Sequence, residues 1–536
     1  MKNYKIILLL GLIFSFSCEE YLDQAPESIL TEKEVFSTFK NAQGFIEEMY
    51  TQVVGYETHN HTFTDFLLGD DGYVNRNFKA SWAIDEGRLN AAANHRHSYL
   101  WSKSGSALSK PHGRDRPGLW EASLDGIRKA NIVIENIIYF NGPEEERNVI
   151  LGQAYFFRAY FHNEIMKYYG RFPYIQEVFA GQIEIPRPET YKEPALAANE
   201  DYKRAAELLP ANWDEMSYGQ LTRGENKIRV TKGTAYAFQG KNLLLAASPL
   251  MRANNGPDLD TYKYDKELCD MAVDAFSEIL KLADQGYYAL ATWENYDDVF
   301  WRSPAPRALP GGTEYIFSAT GMNNQSIQSF MLSGMPRDIH NKLSETVNPT
   351  HNYIHNNFGM ANGLSIEDDI SGKYGPQTYD ATNPFANRDP RFYRWHIIDG
   401  QEIAPRAPNN LAINRTAQLW YVSESEKGVH ADRGDARPGA LRNTTGYIQS
   451  KFYPIIDGEY HSRWNNIIDR YVGVRLHMRL TDVYLMYAEA LHASKGAQTA
   501  PASYSLTAEE AINKFRNRAG IPNVHPNIVT ESNKFM

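Results

Sequence analysis

Residues 144–169 read EEERNVILGQAYFFRAYFHNEIMKYY, and the fold follows from how this stretch is read. Three glutamates open it, which suits the positive end of a helix dipole. Leu151, Ala154, Phe157, Phe161, Ile165 and Tyr168 then recur at helical spacing and define an apolar stripe. The stretch ends at Tyr169-Gly170, with Pro173 beyond it to prevent continuation. Upstream, Trp120, Leu124, Ile127, Asn131, Ile134 and Ile138 keep the same period, so Trp120 reads as a core residue. Only the break at Asn141-Gly142-Pro143 separates the two runs. Two helices joined by so short a connection form an antiparallel hairpin.

The pattern recurs along the chain. A helix is expected from Thr31, with Glu32 and Glu34 in its first turn and Phe36, Phe39, Ala42, Phe45 and Met49 on its face. Others fit Asn199–Leu209, Val230–Ala247 (opened by Thr231), Lys266–Ala283 (closed by Gly286), Leu476–Ser494 and Thr507–Arg518. Small residues such as Ala235, Ala237, Gly240, Ala246, Ala488 and Ala490 alternate with bulky ones, which permits close helix approach. The fold class is therefore mainly α: tetratricopeptide-like helix pairs forming a frame, although a strict period of about 34 residues is not kept. Periodicity vanishes in two places, His59–Pro117 and Tyr287–Tyr471, where Gly, Asn, Pro and single aromatics dominate. Short strand-like pieces occur at Glu314–Ser318 and Tyr447–Tyr453. Irregular stretches of this length are more often binding surfaces than linkers.

The first residues give an address. Lys2 and Lys5 precede an apolar run, Ile6–Phe16, too short for the roughly 20 residues that span a bilayer. It ends in Ser17-Cys18-Glu19-Glu20, which reads as a signal peptide cut before a cysteine that becomes lipid-modified. The organisation expected is a signal at 1–17, a polar tether at 18–32, a helical part at 33–286 that includes the loop-rich 59–117, an irregular ligand-binding region at 287–471, and a C-terminal helix pair at 472–536.

Composition narrows the function. A net charge of −10, with no run of Lys or Arg, argues against a nucleic-acid partner. Of the 2 cysteines, Cys18 is the lipid site and Cys269 is left alone, so no disulfide is expected. Tyrosine is abundant, 34 against 25 Phe and 9 Trp, and its flat face with a polar tip suits surfaces that are wet and adhesive.

Catalytic signatures are absent: no His-Glu-x-x-His, no Gly-x-Ser-x-Gly and no phosphate loop. The pairs Asp70-Asp71, Asp297-Asp298 and Asp368-Asp369 are adjacent in sequence, so on extended chain they point apart, and they read as solvated loop acids. His59-x-His61 and His95-x-His97 lack a third metal ligand at useful spacing. Binding is better supported. A sugar ring has an apolar C–H face and a polar rim, so its receptor needs an aromatic plane beside Asp, Asn or Arg. The first irregular region offers Asp70, Asp71, Tyr73, Asn75, Arg76, Trp82 and Trp101. The second offers Trp293, Asn295, Tyr296, Trp301 and Arg302. The candidate ligand residues are Asp71, Tyr73, Arg76, Trp82, Trp101, Trp293, Tyr296 and Trp301.

Several stretches carry a resemblance. Cys18-Glu19-Glu20-Tyr21-Leu22-Asp23-Gln24-Ala25-Pro26-Glu27, Gln153–Tyr160 with Tyr169–Pro173, and Arg229–Ala235 each resemble parts of the SusD/RagB family of nutrient-binding lipoproteins. So do Asn387-Arg388-Asp389-Pro390-Arg391-Phe392, the most specific of them, and Arg479–Ala490 with Asn517–Gly520. These pieces span nearly the whole chain in order. Thr481-Asp482 stands where the family usually has Ala-Glu, which keeps the carboxylate. Members usually continue past Arg518-Ala519-Gly520 with another helix and an Arg/Trp-containing tail, so the end at Met536 reads as a truncation or a missing last part of the frame.

The resemblance implies a non-enzymatic protein, lipid-anchored on the outer membrane and facing the cell surface, that binds oligosaccharide or polysaccharide. It implies a partner, a SusC-like TonB-dependent transporter over which the protein sits as a lid. It implies no cofactor; some relatives carry a structural calcium on loop carboxylates and carbonyls, but no EF-hand pattern gives such a site a place in this sequence. Arg391 lies within the specific stretch and Trp395 follows it, and both read as structural. Two rivals stand: a peptide-binding RagB-like member of the same family, and a secreted glycoside hydrolase, which needs carboxylates about 5 to 10 Å apart in one cleft.

Overall fold

The computed structural model describes residues 31–53, 71–74, 119–181, 184–252, 263–301, 314–318, 347–403, 415–423, 425–428, 443, 445–451 and 476–535. The signal, Cys18, nearly all of the tether, and the His59/His61 and His95/His97 pairs lie outside the described residues.

The frame begins with a short helix, Glu32–Phe36, opened by a capping box in which Thr31 and Glu34 satisfy each other's backbone N–H groups. The single helix expected here is two. The chain extends at Thr38, which caps a second helix, α1 (Phe39–Thr51), by accepting a hydrogen bond from Asn41 N. The hairpin follows as α2 (Leu119–Asn136) and α3 (Glu144–Tyr169). Ile138 falls in a 3₁₀ turn after α2 has ended and is 76% exposed, so it leaves the apolar stripe assigned to it. In α3 the burial runs almost unbroken from Val149 to Met166. The helix is enclosed, with α1, α2 and α4 packed around it, and a one-sided stripe understates it.

Next come α4 (Lys192–Leu208), α5 (Lys232–Ala247), α6 (Lys266–Asp284), α7 (Leu480–Lys495) and α8 (Ala508–Arg518). From α2 to α8 each helix packs on the next, the serial arrangement expected of stacked helix pairs. The fourth starts at Lys192 rather than Asn199, because Pro194 sits in its first turn, where a missing N–H costs nothing. The fifth opens at Thr231 as its sequence predicts, with a capping box to Thr234. Gly240 allows α5 and α6 to touch: a Cβ there would lie 2.4 Å from the Phe276 ring.

The buried arginine and aspartate at the centre of the frame are paired. Arg158 on α3 grips Asp201 on α4 through Nε (2.6 Å) and Nη2 (2.8 Å) and donates from Nη1 to Asn131 on α2 (2.9 Å). Tyr174 adds its hydroxyl to Asp201 at 2.6 Å. A buried charge is tolerable only when paired in this way.

The strands are short and antiparallel. They are β1 (Gly72–Val74), β2 (Tyr315–Ser318), β3 (Val347–Pro349), β4 (His396–Ile397), β5 (Tyr421–Ser423), β6 (Glu426–Lys427), β7 (Ile448–Gln449) and β8 (Leu476–Arg479). They pair as β1 with β3, β2 with β8, β4 with β7 and β5 with β6. The stretch from Leu476 was expected to be helical but is β8, laid against β2. The helix begins only at Leu480, where Asp482 accepts from Arg479 N at 2.9 Å and fixes the start. Through β2 and β8 the irregular region is stitched to the frame, with Phe317 of β2 packed edge-on against Phe156 and Tyr160.

Candidate functional site

Residues of the 287–471 region form a second apolar cluster that includes Tyr296, Phe300, Phe358, Phe392, Trp395 and Ile397. The stretch Asn387–Phe392 organises it. Asn387 takes the left-handed backbone (φ 54°), which asparagine tolerates better than most residues. Arg388 turns inward and donates to the carbonyls of Ile354, Phe358, Gly359 and Pro384. Asp389 caps the short helix Pro390–Trp395 through Arg391 N (2.8 Å) and also holds the Arg391 guanidinium. Phe392 is fully buried.

That helix delivers Arg394 and Trp395 to Asp297. Arg394 binds the carboxylate through Nε (2.8 Å) and Nη2 (2.6 Å), and Trp395 Nε1 donates to its other oxygen at 3.3 Å. The Arg394 guanidinium lies 4.4 Å from the ring centre of Trp293. Trp293 is half-buried, so its indole is a plate held by an ion-paired arginine. Lys451 lies over the rings of Phe300 and Trp395, 4.8 and 5.2 Å from their centres, and burial together with the Arg479 charge lowers its ammonium to about 8.

Tyr296, expected at the ligand surface, is instead a core residue, 4% exposed. Arg518 covers its ring at 4.0 Å, Trp395 packs 5.4 Å from it, and its hydroxyl accepts from Arg479 Nη1 at 3.0 Å. No face is left for a ligand to stack on. Arg518 is held in turn by the buried Glu314, which also accepts from Thr481 Oγ1 (2.6 Å) and Ala291 N (3.0 Å). Thr481 thus has a specific use at its unusual place in the sequence.

The acid pairs also need correction. Asp297 is buried with Arg394, and Asp369 is fully buried. Burial alone would raise the Asp369 carboxyl, but hydrogen bonds from Thr378 N, Tyr379 N, Asn362 and Thr378 Oγ1 outweigh it and hold the group below its usual range. Asp368 pairs with Lys534. These acids fasten loops, because each sits where backbone N–H groups or a cation would otherwise lack a partner.

The two irregular regions meet. β1 from the first pairs with β3 from the second, Tyr73 opposite Asn348, and Asp71 O accepts from Thr350 N at 3.1 Å. Asp71 is half-buried at this junction. The side chains of Tyr73 and of Trp301, which ends the short helix Asp298–Trp301, lie outside the described residues, as do Arg76, Trp82 and Trp101 entirely. Sequence reasoning missed the exposed run Trp420-Tyr421-Val422 on the β5–β6 hairpin. Its signal was three large apolar residues followed by Ser423, where a buried strand would continue apolar. It also missed Arg394, which only the fold brings to Trp293.

Two family models match the chain. One, described as starch-binding and associating with the outer membrane, covers residues 20–243, and the other, the SusD family, covers residues 313–535. The SusD-like protein P2 of Formosa agariphila is 25% identical over 218 residues, which is 39% of this chain and 39% of that relative's length. A SusD-like protein from Bacteroides fragilis superposes with a TM-score of 0.62 at 21% identity, over 94% of this chain and 84% of that one. A SusD-like carbohydrate binding protein from the same species gives 0.60 at 17% identity, again over 94% and 84%. At these identities the structural likeness speaks for the fold.

Proposed function

The chain belongs to the SusD/RagB family, and from that premise we propose that it is a cell-surface glycan-binding lipoprotein that captures oligosaccharides and delivers them to a TonB-dependent outer-membrane transporter. The observation that carries the binding half is Trp293: a half-buried indole held by Arg394, which Asp297 fixes. An aromatic plate with fixed orientation loses little freedom on binding, so it favours stacking against a sugar's C–H face. Among the described residues, the buried carboxylates Asp201, Asp297, Glu314, Asp369 and Asp389 are each engaged by structural donors, so these five serve the fold. Anchoring through Cys18 and capture by a transporter fit a family model described by outer-membrane association.

Titration calorimetry against soluble starch, xyloglucan and xylan tests the binding. The full chain is expected to bind at least one, and Trp293→Ala to weaken that binding about tenfold, the scale of one lost stacking contact. Binding of none, with peptide binding instead, would favour the peptide-binding rival. For the anchor, Cys18→Ala is expected to move the protein from the membrane fraction to the soluble one; retention would remove the lipid.

A further inference from the structure

Trp293 lies in a segment, residues 291–297, that belongs to no helix or strand and is held from outside at both ends. Downstream the hold comes from the second region: Arg394 takes Asp297 and also donates from Nη2 to Glu294 O at 3.4 Å. Upstream it comes from the frame. The buried Glu314 accepts from Ala291 N at 3.0 Å, and Arg518, the last residue of α8, reaches Ala291 O from Nη1 at 3.5 Å. Glu314 and Arg518 are also ion-paired with each other. Thr481 in the first turn of α7 donates from Oγ1 to the second Glu314 oxygen at 2.6 Å, and Leu480 N donates to Glu314 O at 2.8 Å, so the carboxylate is fixed in its turn. The Arg518 guanidinium then covers the Tyr296 ring at 4.0 Å, three residues beyond Trp293.

A buried ion pair is weak evidence of stabilisation, since apolar residues of similar volume often serve the fold as well. Its geometry here has another consequence. A segment without ladder partners must lose backbone freedom when a ligand orders it, and a segment ordered in advance avoids that loss. Ala291 and Tyr296 bracket Trp293, and one guanidinium reaches both, so the backbone that carries the indole is fixed on either side of it. The side chains of Glu314 and Arg518 are 0% and 11% exposed, too enclosed to meet a ligand themselves. We infer that Arg518 and Glu314 are positioning residues for Trp293, which hold its segment in place from the frame before a glycan arrives. The inference rests on the glycan-binding reading above.

Calorimetry with whichever of soluble starch, xyloglucan or xylan binds the unmodified chain tests it. Arg518→Met with Glu314→Leu removes both charges together, so neither is left buried and unpaired. This double variant is expected to bind about fivefold more weakly, with unchanged circular dichroism and faster hydrogen exchange at residues 292–295. In a Trp293→Ala chain the same two substitutions are expected to cost no further affinity, because the indole they position is gone. Losses that add in that triple variant, or undiminished binding by the double variant, would overturn the positioning role while leaving glycan binding intact. Arg518→Lys keeps a charge on Glu314 without the planar fork and is expected to weaken binding about threefold; full affinity there would overturn the role of Arg518. Failure of the unmodified chain to bind any of the three, or full binding by Trp293→Ala alone, would overturn the glycan reading at Trp293 and this inference with it.

Discussion

In the frame, the ring of Phe156 meets Phe157, Tyr160, Tyr202, Phe238 and Phe317 at centroid distances between 5.4 and 5.9 Å. In the second core, Arg388 sits inside the turn it holds together, donating to four backbone carbonyls. The contrast has a cause. Helices satisfy their own backbone, so their faces are free to be apolar and to interdigitate. A region of two- to four-residue strands leaves carbonyls without ladder partners, and arginine, with five donors in a planar fork, supplies what the ladder does not. Apolar packing holds the first region and directed donors hold the second, so the two should fail differently.

The largest effect is expected in the frame. Phe156→Ala leaves a cavity among five rings and should cost about 3 to 5 kcal/mol by denaturant titration. A cost under about 1 kcal/mol would mean that the rings collapse into the gap. Next comes Arg388→Met, which keeps bulk but strips the donors from four carbonyls and should cost about 3 kcal/mol. Its damage should be local. Hydrogen exchange of Ile354, Phe392 and Ile397 should accelerate, while that of Val149–Met166 should not. Equal acceleration in both would show that the regions unfold as one unit.

The same contrast decides how much could be read in advance. The frame was legible, because helical period, caps at Thr31 and Thr231 and stops such as Gly170 are local signals that survive without a structure. What failed there failed at ends: Thr38 restarts a helix, and Leu476–Arg479 becomes a strand because β2, remote in sequence, offers it a partner. The second region was legible only as a motif. Asn387–Phe392 stood out, but nothing local revealed that Arg388 would serve carbonyls some 30 residues upstream or that Arg394 would reach Trp293. Tyr296 misled for the same reason. A tyrosine amid loop residues looks solvent-facing until Arg518, from the far end of the chain, closes over it.

Acid should act on both regions alike, and this gives the smallest of the expected effects. Each core encloses a histidine that burial holds neutral. His162 in α3 donates from Nδ1 to Arg158 O (2.7 Å) and accepts at Nε2 from Ile175 N (2.8 Å). His396 in β4 donates from Nδ1 to Phe392 O (3.1 Å) and packs between Phe358 and Phe392. Burial, seconded by nearby cations, pushes both down to about 3. The unfolded value is near 6.5, so between these limits the unfolded chain binds the extra protons. The stability from neutral burial is complete above about pH 6.5 and is lost progressively as pH falls toward 3, about 2 kcal/mol for each histidine by pH 5. His162→Gln keeps a donor and an acceptor without the titration, so it should shrink the loss between pH 7 and pH 5 in the frame's exchange rates and leave the second core's loss unchanged. His396→Gln should do the reverse. A pH slope that neither substitution alters would show that these imidazoles are not what makes the cores acid-sensitive.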